Sequence, residues 1–102
     1  VAPGGYYLGI TTLDDSGSNG GSDTDYLLYD DSNGFIGTSA SAPIVSGVIA
    51  LMLEKNPTLT RVQIEQILHD TSDKIGHVPY RNDRNNYYGY GKINLSTIML
   101  SI

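Results

Sequence analysis

The residues best suited to chemistry stand in one short string, Gly37-Thr38-Ser39-Ala40-Ser41-Ala42-Pro43, followed by the uncharged run IVSGVIALML. Ser39 is the informative one. A serine at the start of a helix meets free backbone N–H groups and the positive end of the helix dipole, and both favour developing negative charge. A serine nucleophile creates such charge when it attacks a carbonyl, and the resulting oxyanion has to be held by donors already in place. Gly37 and Ala40 are small enough to let a substrate approach, and an apolar helix behind Ser39 would fix its hydroxyl on a rigid element. The same position equally suits a serine that only caps the helix. Two other serine patterns do not fit. The G-x-S-x-G elbow needs a glycine where Ser41 stands, and S-x-x-K needs a lysine where Ala42 stands.

The elements that must position Ser39 follow from the flanking pattern. Ser39–Leu53 carries no charge, so it reads as a helix apolar on every face, to be buried on every face. It is shorter than the roughly 20 residues a membrane span needs, and Pro43 is read as tolerated in its first turn. Upstream, Tyr6 to Leu13 is aromatic and β-branched and predicts a strand. Asp14 to Asp25 is all turn residues and predicts an exposed loop. Tyr26–Tyr29 and Phe35–Ile36 then predict a hairpin with Asn33–Gly34 in its turn. Downstream, Thr60 with Gln63 forms a capping box and Leu59 with Ile64 a hydrophobic staple. Val62, Ile64, Ile67 and Leu68 mark the buried stripe of this second, surface helix. Gly76 to Asn86 reads as loop, and Tyr87 to Leu95 as a glycine turn, a short extended piece and a last helical turn.

Composition narrows the chemistry further. The 102 residues include no cysteine, which excludes disulfide scaffolds, thiolate metal sites and cysteine nucleophiles. Residues 1–53 hold six aspartates and neither lysine nor arginine, against an overall net charge of −5. Nucleic acid is therefore not the expected partner, since phosphate contacts need clustered basic residues. The acidic loop Asp14–Asp25 is compatible with a cation or a basic substrate, but its spacing matches no calcium-loop pattern and a solvated loop is the plainer reading. Asn94-Leu95-Ser96 is a glycosylation sequon whose asparagine also suits a helix cap. Tyr87, Tyr88 and Tyr90 are expected to pack around the glycine turn.

GTSASAP followed by IVSGVIALML resembles the nucleophile segment of the subtilisin-like serine proteases, the subtilases. VAPGG at Val1–Gly5 is similar to the strand end upstream of that segment, NPTLTRVQIEQIL to the helix after it, and YYGYGKINL to the family's terminal turn and helix. Within the family the nearest likeness is to the kexin and furin branch, although Thr60-Arg61-Val62 stand where that branch has a tryptophan-containing helix start. The resemblance implies an α/β architecture, the C-terminal part of the subtilisin-like fold. Its parts would be strands and a hairpin, a buried central helix starting at the nucleophile, an amphipathic surface helix and a short terminal helix. Residues 1–102 would be the C-terminal segment of a catalytic domain.

The resemblance also assigns roles. Ser39 would be the nucleophile of an acyl-enzyme mechanism and its own N–H an oxyanion donor, with Gly37, Thr38 and Ala40 lining the site. The family's chain order is Asp, His, Ser, with the oxyanion asparagine also before the serine. Only 38 residues precede Ser39 and none is histidine; His69 and His77 both follow it and are not recruited. The segment alone is therefore expected to lack proteolytic turnover, and to bind neither metal nor cofactor, calcium being compatible with the whole enzyme. The implied partners are a polypeptide substrate and the rest of the catalytic domain, in an extracellular or cell-envelope setting, with no membrane span. Cut off from that domain, the segment is expected to self-associate. The competing reading is a non-catalytic association module that keeps the serine motif as structure.

Overall fold

A computed structural model of the chain describes residues 1–5, 9–20, 25–28 and 34–102. They fall into two compact units, one of Pro3–Ile44 and one of Val1–Ala2 with Val45–Ile102. Helices and a small antiparallel sheet are both present among the described residues, which is compatible with an α/β class. Among the described residues, no helix is long and apolar enough to cross a membrane.

In the unit Pro3–Ile44, strand β1 (Thr12–Leu13) pairs antiparallel with β2 (Tyr26–Leu27), Thr12 opposite Leu27 and Leu13 opposite Tyr26. Ile10, just before β1, bridges to Phe35. Among the described residues, both segments of the expected hairpin pair instead with the stretch Ile10–Leu13, Tyr26–Leu27 with β1 and Phe35 with Ile10. The acidic loop closes the β1–β2 connection through local bonds that compete well with other pairings. Asp14 Oδ1 accepts from the Asp15 N–H at 2.9 Å, Asp25 Oδ1 accepts from the Gly17 N–H at 3.1 Å, and Gly17–Asn19 makes a single 3₁₀ turn. The Tyr6–Leu8 part of the predicted strand, and Asn33 in the predicted turn, lie outside the described residues.

Helix α1 (Thr38–Lys55) starts one residue earlier and ends two later than the sequence pattern suggests. Pro43 is thus its sixth residue and not in its first turn. Having no N–H, it leaves the Ser39 carbonyl without its i+4 donor.

The unit Val45–Ile102 is built on a small core. Val48 and Met52 of α1 meet Ile64 of α2 (Arg61–Asp70) and Ile98 of α3 (Leu95–Ser101). Leu59, Ile67, Leu68, Ile93 and Met99 pack around them. The expectation that α1 is buried on every face does not hold. The core takes one stripe of the helix, four residues apart, while Leu51 stays 44% and Leu53 37% exposed. Two short helices supply one covering layer, and the opposite face of α1 has none among the described residues.

Helix α2 begins as its cap dictates: Thr60 Oγ1 accepts from the Gln63 N–H at 3.3 Å, and Gln63 Oε1 accepts from the Thr60 N–H at 2.9 Å. Its solvent side carries an Arg61–Glu65 ion pair at 3.4 Å. Val62 was expected in the buried stripe but is 68% exposed, because two residues before Ile64 is the far side of a helix. Asn94 caps α3, accepting from the Thr97 N–H at 3.0 Å and donating to the Asp73 carboxylate, so its side chain is spent on structure. The Lys55 ammonium donates to the Met99 carbonyl in the last turn of α3. Between α2 and α3, the stretch expected as loop holds two small turns closed by antiparallel bridges, Arg81–Arg84 and Asn85–Gly89.

Ile98 and Met52 are fully buried, at 0% exposure. Ile98→Ala should therefore cost about 2–5 kcal/mol, from lost transfer energy and the cavity it leaves. Urea unfolding of the full-length protein checks this, and a cost below 1 kcal/mol would mean that α3 is not part of the cooperative core.

Candidate active site

Two backbone anchors hold the segment that enters α1. The Ile10 N–H donates to the Phe35 carbonyl at 2.8 Å, and the Gly37 N–H donates to the Gly4 carbonyl at 2.7 Å. Gly37 then turns the chain into the helix with φ at +99°, a conformation that glycine adopts without steric cost. Gly4 packs tightly from the other side. A Cβ built on it would lie 2.6 Å from the Gly37 carbonyl oxygen and 2.6 Å from Ser41 Oγ.

The residues Gly37, Thr38, Ser39 and Ala40 fall within one helical turn. Ala40 is buried and its N–H donates to the Gly37 carbonyl at 3.0 Å, closing the first turn. Of the first four N–H groups at this helix start, those of Gly37 and Ala40 are therefore satisfied. Those of Thr38 and Ser39 have no acceptor among the described residues. Two adjacent free donors at a helix N-terminus form an anion-facing corner.

Ser39 is exposed, and its hydroxyl makes no hydrogen bond among the described residues. Capping does not account for it. The residue before the helix is Gly37, which has no side chain to cap with, and Ser39 is the second residue of α1. Ser41 is half-buried against Gly4, so the two serines of the motif differ in accessibility although they are two residues apart.

The histidines belong to the other unit. His69, in the last turn of α2, stacks on Tyr90 with ring centroids 3.6 Å apart and planes 13° from parallel. His77 is exposed in the following loop. Tyr88 lies over Gly76, so two of the three tyrosines near the glycine turn pack as ordinary structural aromatics. Among the described residues, no three His, Asp or Glu side chains group as metal ligands would.

Gly4 is the site element that sequence reasoning overlooked. VAPGG was noted as a resemblance, but contact between residues 33 positions apart in the chain leaves no local pattern to find.

Comparison with known proteins gives the site its context. The model of the subtilase family matches residues 1–91. A calcium-dependent protease of Nostoc sp. is 38% identical over 93 residues, which cover 88% of this chain and 12% of that protein. Serine protease AprX of Bacillus subtilis is 36% identical over 58 residues, covering 57% of this chain and 12% of its own length. Proprotein convertase subtilisin/kexin type 5 of Homo sapiens is 43% identical over 54 residues, covering 53% of this chain and 3% of its own. The chain thus spans no more than 12% of the length of these relatives.

Proposed function

Because this chain belongs to the subtilase family, we propose that it is the nucleophile-bearing, C-terminal segment of a subtilisin-like serine endopeptidase domain. The observation that carries the reading is the exposed Ser39 hydroxyl at the turn that starts α1, where the N–H groups of Thr38 and Ser39 have no acceptor among the described residues. In the reaction, Ser39 Oγ attacks the scissile carbonyl of a polypeptide, and its proton passes to a histidine supplied by another part of the protein. The carbonyl oxygen becomes an oxyanion that takes the Ser39 N–H as donor. Collapse of this intermediate expels the amine, which leaves with the proton, and gives an acyl-Ser39 ester. Water then hydrolyses the ester and restores the hydroxyl. Gly37 and Thr38, both exposed, would line the approach, while Ala40 is buried beneath Ser39 and would line the site only from within.

An unactivated serine is a poor nucleophile. On this reading the Asp, His and oxyanion Asn of the family lie elsewhere in the full-length protein, and residues 1–102 alone do not turn over peptide. The exposed apolar side chains of α1, Leu51 and Leu53 on the two flanks of the buried Met52, are where the rest of that domain would sit, and a chain deprived of it would self-associate. The same side chains are what a non-catalytic association module would present, which keeps that reading as the alternative. The protein would act outside the cell or in its envelope.

Two relatives carry calcium dependence in their names. The described residues do not fit a calcium cage. Asp14 and Asp25 already accept backbone N–H bonds, and no cluster of three acidic or histidine ligands forms among the described residues.

A fluorophosphonate probe tests the proposal, with the labelled residue located by peptide mass analysis. The full-length protein should label stoichiometrically at Ser39, and residues 1–102 on their own should not. Labelling of the isolated segment would refute its dependence on the rest of the domain. An active full-length protein that labels at another serine would refute the role of Ser39, and an inactive, unlabelled one would favour the association module.

A further inference from the structure

We propose that the turn Arg81–Arg84 and the residues after it form a binding site for a phosphate dianion, free or as a phosphate monoester. The argument starts from charge. Residues 74–92 hold Lys74, Arg81, Arg84 and Lys92 against the single acid Asp83, a local net charge of +3 in a chain of −5. Arg81 and Arg84 exchange backbone hydrogen bonds at 2.9 and 3.1 Å across a two-residue turn. Asn82 and Asp83 in that turn have φ of 52° and 61°, the pair of positive values that a type I′ turn requires.

Directly opposed residues of an antiparallel pair put their side chains on one face. Two like charges thus stand on one face of the turn, which is unfavourable without a counter-charge. Neither has a carboxylate partner among the described residues. Arg84 Nη1 donates only to the Asn86 amide oxygen, at 3.2 Å.

Both arginines line a surface recess of about 580 Å³ together with Asn82, Asn85 and Asn86, and no acidic side chain lines it. Asn85 Oδ1 accepts the N–H groups of Tyr87 and Tyr88 at 2.9 and 2.7 Å, which fixes the orientation of the amide. Its Nδ2 is buried and has no acceptor among the described residues. The Lys74 ammonium donates to the carbonyls of Asp83 and Tyr90, at 3.1 and 2.7 Å, and so ties the turn to the Tyr90 backbone. A recess lined by two arginines and no acid, with Pro79 and Tyr90 at its side, matches a doubly charged, many-acceptor oxyanion better than a single carboxylate, which one fork satisfies. Its volume exceeds that of a phosphate ion and leaves room for the organic part of an ester.

Isothermal titration of the full-length protein with inorganic phosphate, O-phosphoserine and acetate tests the site. Saturable binding is expected for phosphate or phosphoserine with a Kd of about 1 mM, the scale of a few exposed charge-assisted contacts. Acetate should bind at least tenfold more weakly. Preference for phosphoserine over phosphate would assign an esterified source, and the reverse a free ion. R81Q/R84Q, two changes at exposed positions, should weaken binding at least tenfold with an unchanged circular dichroism spectrum. R61Q, whose arginine is already paired with Glu65, should leave it unaltered. Absence of saturable binding by either phosphate compound, or full affinity in R81Q/R84Q, would overturn the proposal.

Discussion

Ser39→Ala in the full-length protein is expected to lower kcat by on the order of 10⁶-fold, the loss seen when a triad serine is removed. Folding stability should change by no more than about 0.5 kcal/mol, as for other surface substitutions. The two halves of this expectation have separate causes. Ser39 is exposed and its hydroxyl has no partner among the described residues, so its removal breaks no hydrogen bond within them and opens no cavity. The chemistry, by contrast, would lose the only atom able to form the acyl intermediate. Ser41→Ala supplies the contrast within the same motif. Its hydroxyl is half-buried against Gly4, so its loss should change kcat by less than about tenfold, the range of a small positional adjustment. Comparable losses at Ser39 and Ser41 in peptide-hydrolysis assays would argue against a unique nucleophile. A retained kcat in Ser39→Ala would end the assignment.

How much of this was legible in the sequence depends on how local the determining contacts are. The start of α2 was readable because Thr60 and Gln63 satisfy each other across three residues, and both halves of that box form. The long helix was readable from its uninterrupted apolar run, but its burial was not. Burial on every face is a property of what surrounds a helix, and the described residues surround α1 on one stripe only. Strand pairing was misassigned for a related reason. Tyr26–Leu27 and Phe35 both had an adjacent candidate partner in sequence, and both pair instead with Ile10–Leu13 across longer loops. The turn at Asn82–Asp83 was passed over because the usual hairpin signal carries glycine, whereas here Asn and Asp adopt the positive φ values themselves.

The candidate site divides in the same way. Ser39 could be singled out from its neighbours and from the helix behind it, because a nucleophile at a helix start is written in consecutive residues. The donor it would use is a backbone group, its own N–H, which like that of Thr38 has no acceptor among the described residues, whereas Gly37 and Ala40 do find acceptors. Residue types alone do not reveal which N–H groups of a first turn remain free. Nor could the basic recess be read from the overall charge, since a net −5 conceals a stretch of +3.

Gly4→Ala carries the second large effect, and it acts at a distance of one contact from Ser39. The added methyl carbon would sit 2.6 Å from the Gly37 carbonyl oxygen, well inside van der Waals distance. That oxygen has little freedom to retreat, since it accepts the Ala40 N–H that closes the first turn of α1. Gly4 is equally constrained, because its carbonyl accepts the Gly37 N–H. Ser41 Oγ can rotate away; the backbone cannot. The expected outcome is a displaced Gly37–Ser41 segment. A shift near 1 Å at a nucleophile costs on the order of 10²-fold in kcat/KM, and overpacking costs about 1–3 kcal/mol of stability. Peptide hydrolysis and the rate of fluorophosphonate labelling at Ser39 should fall together, because both depend on where the hydroxyl stands. Adding Ser41→Gly removes the side-chain clash and leaves the backbone one, so the double variant should recover only part of the loss. Full recovery would place the conflict at Ser41 alone, and an unaltered Gly4→Ala protein would mean that Gly4 does not set the position of the site.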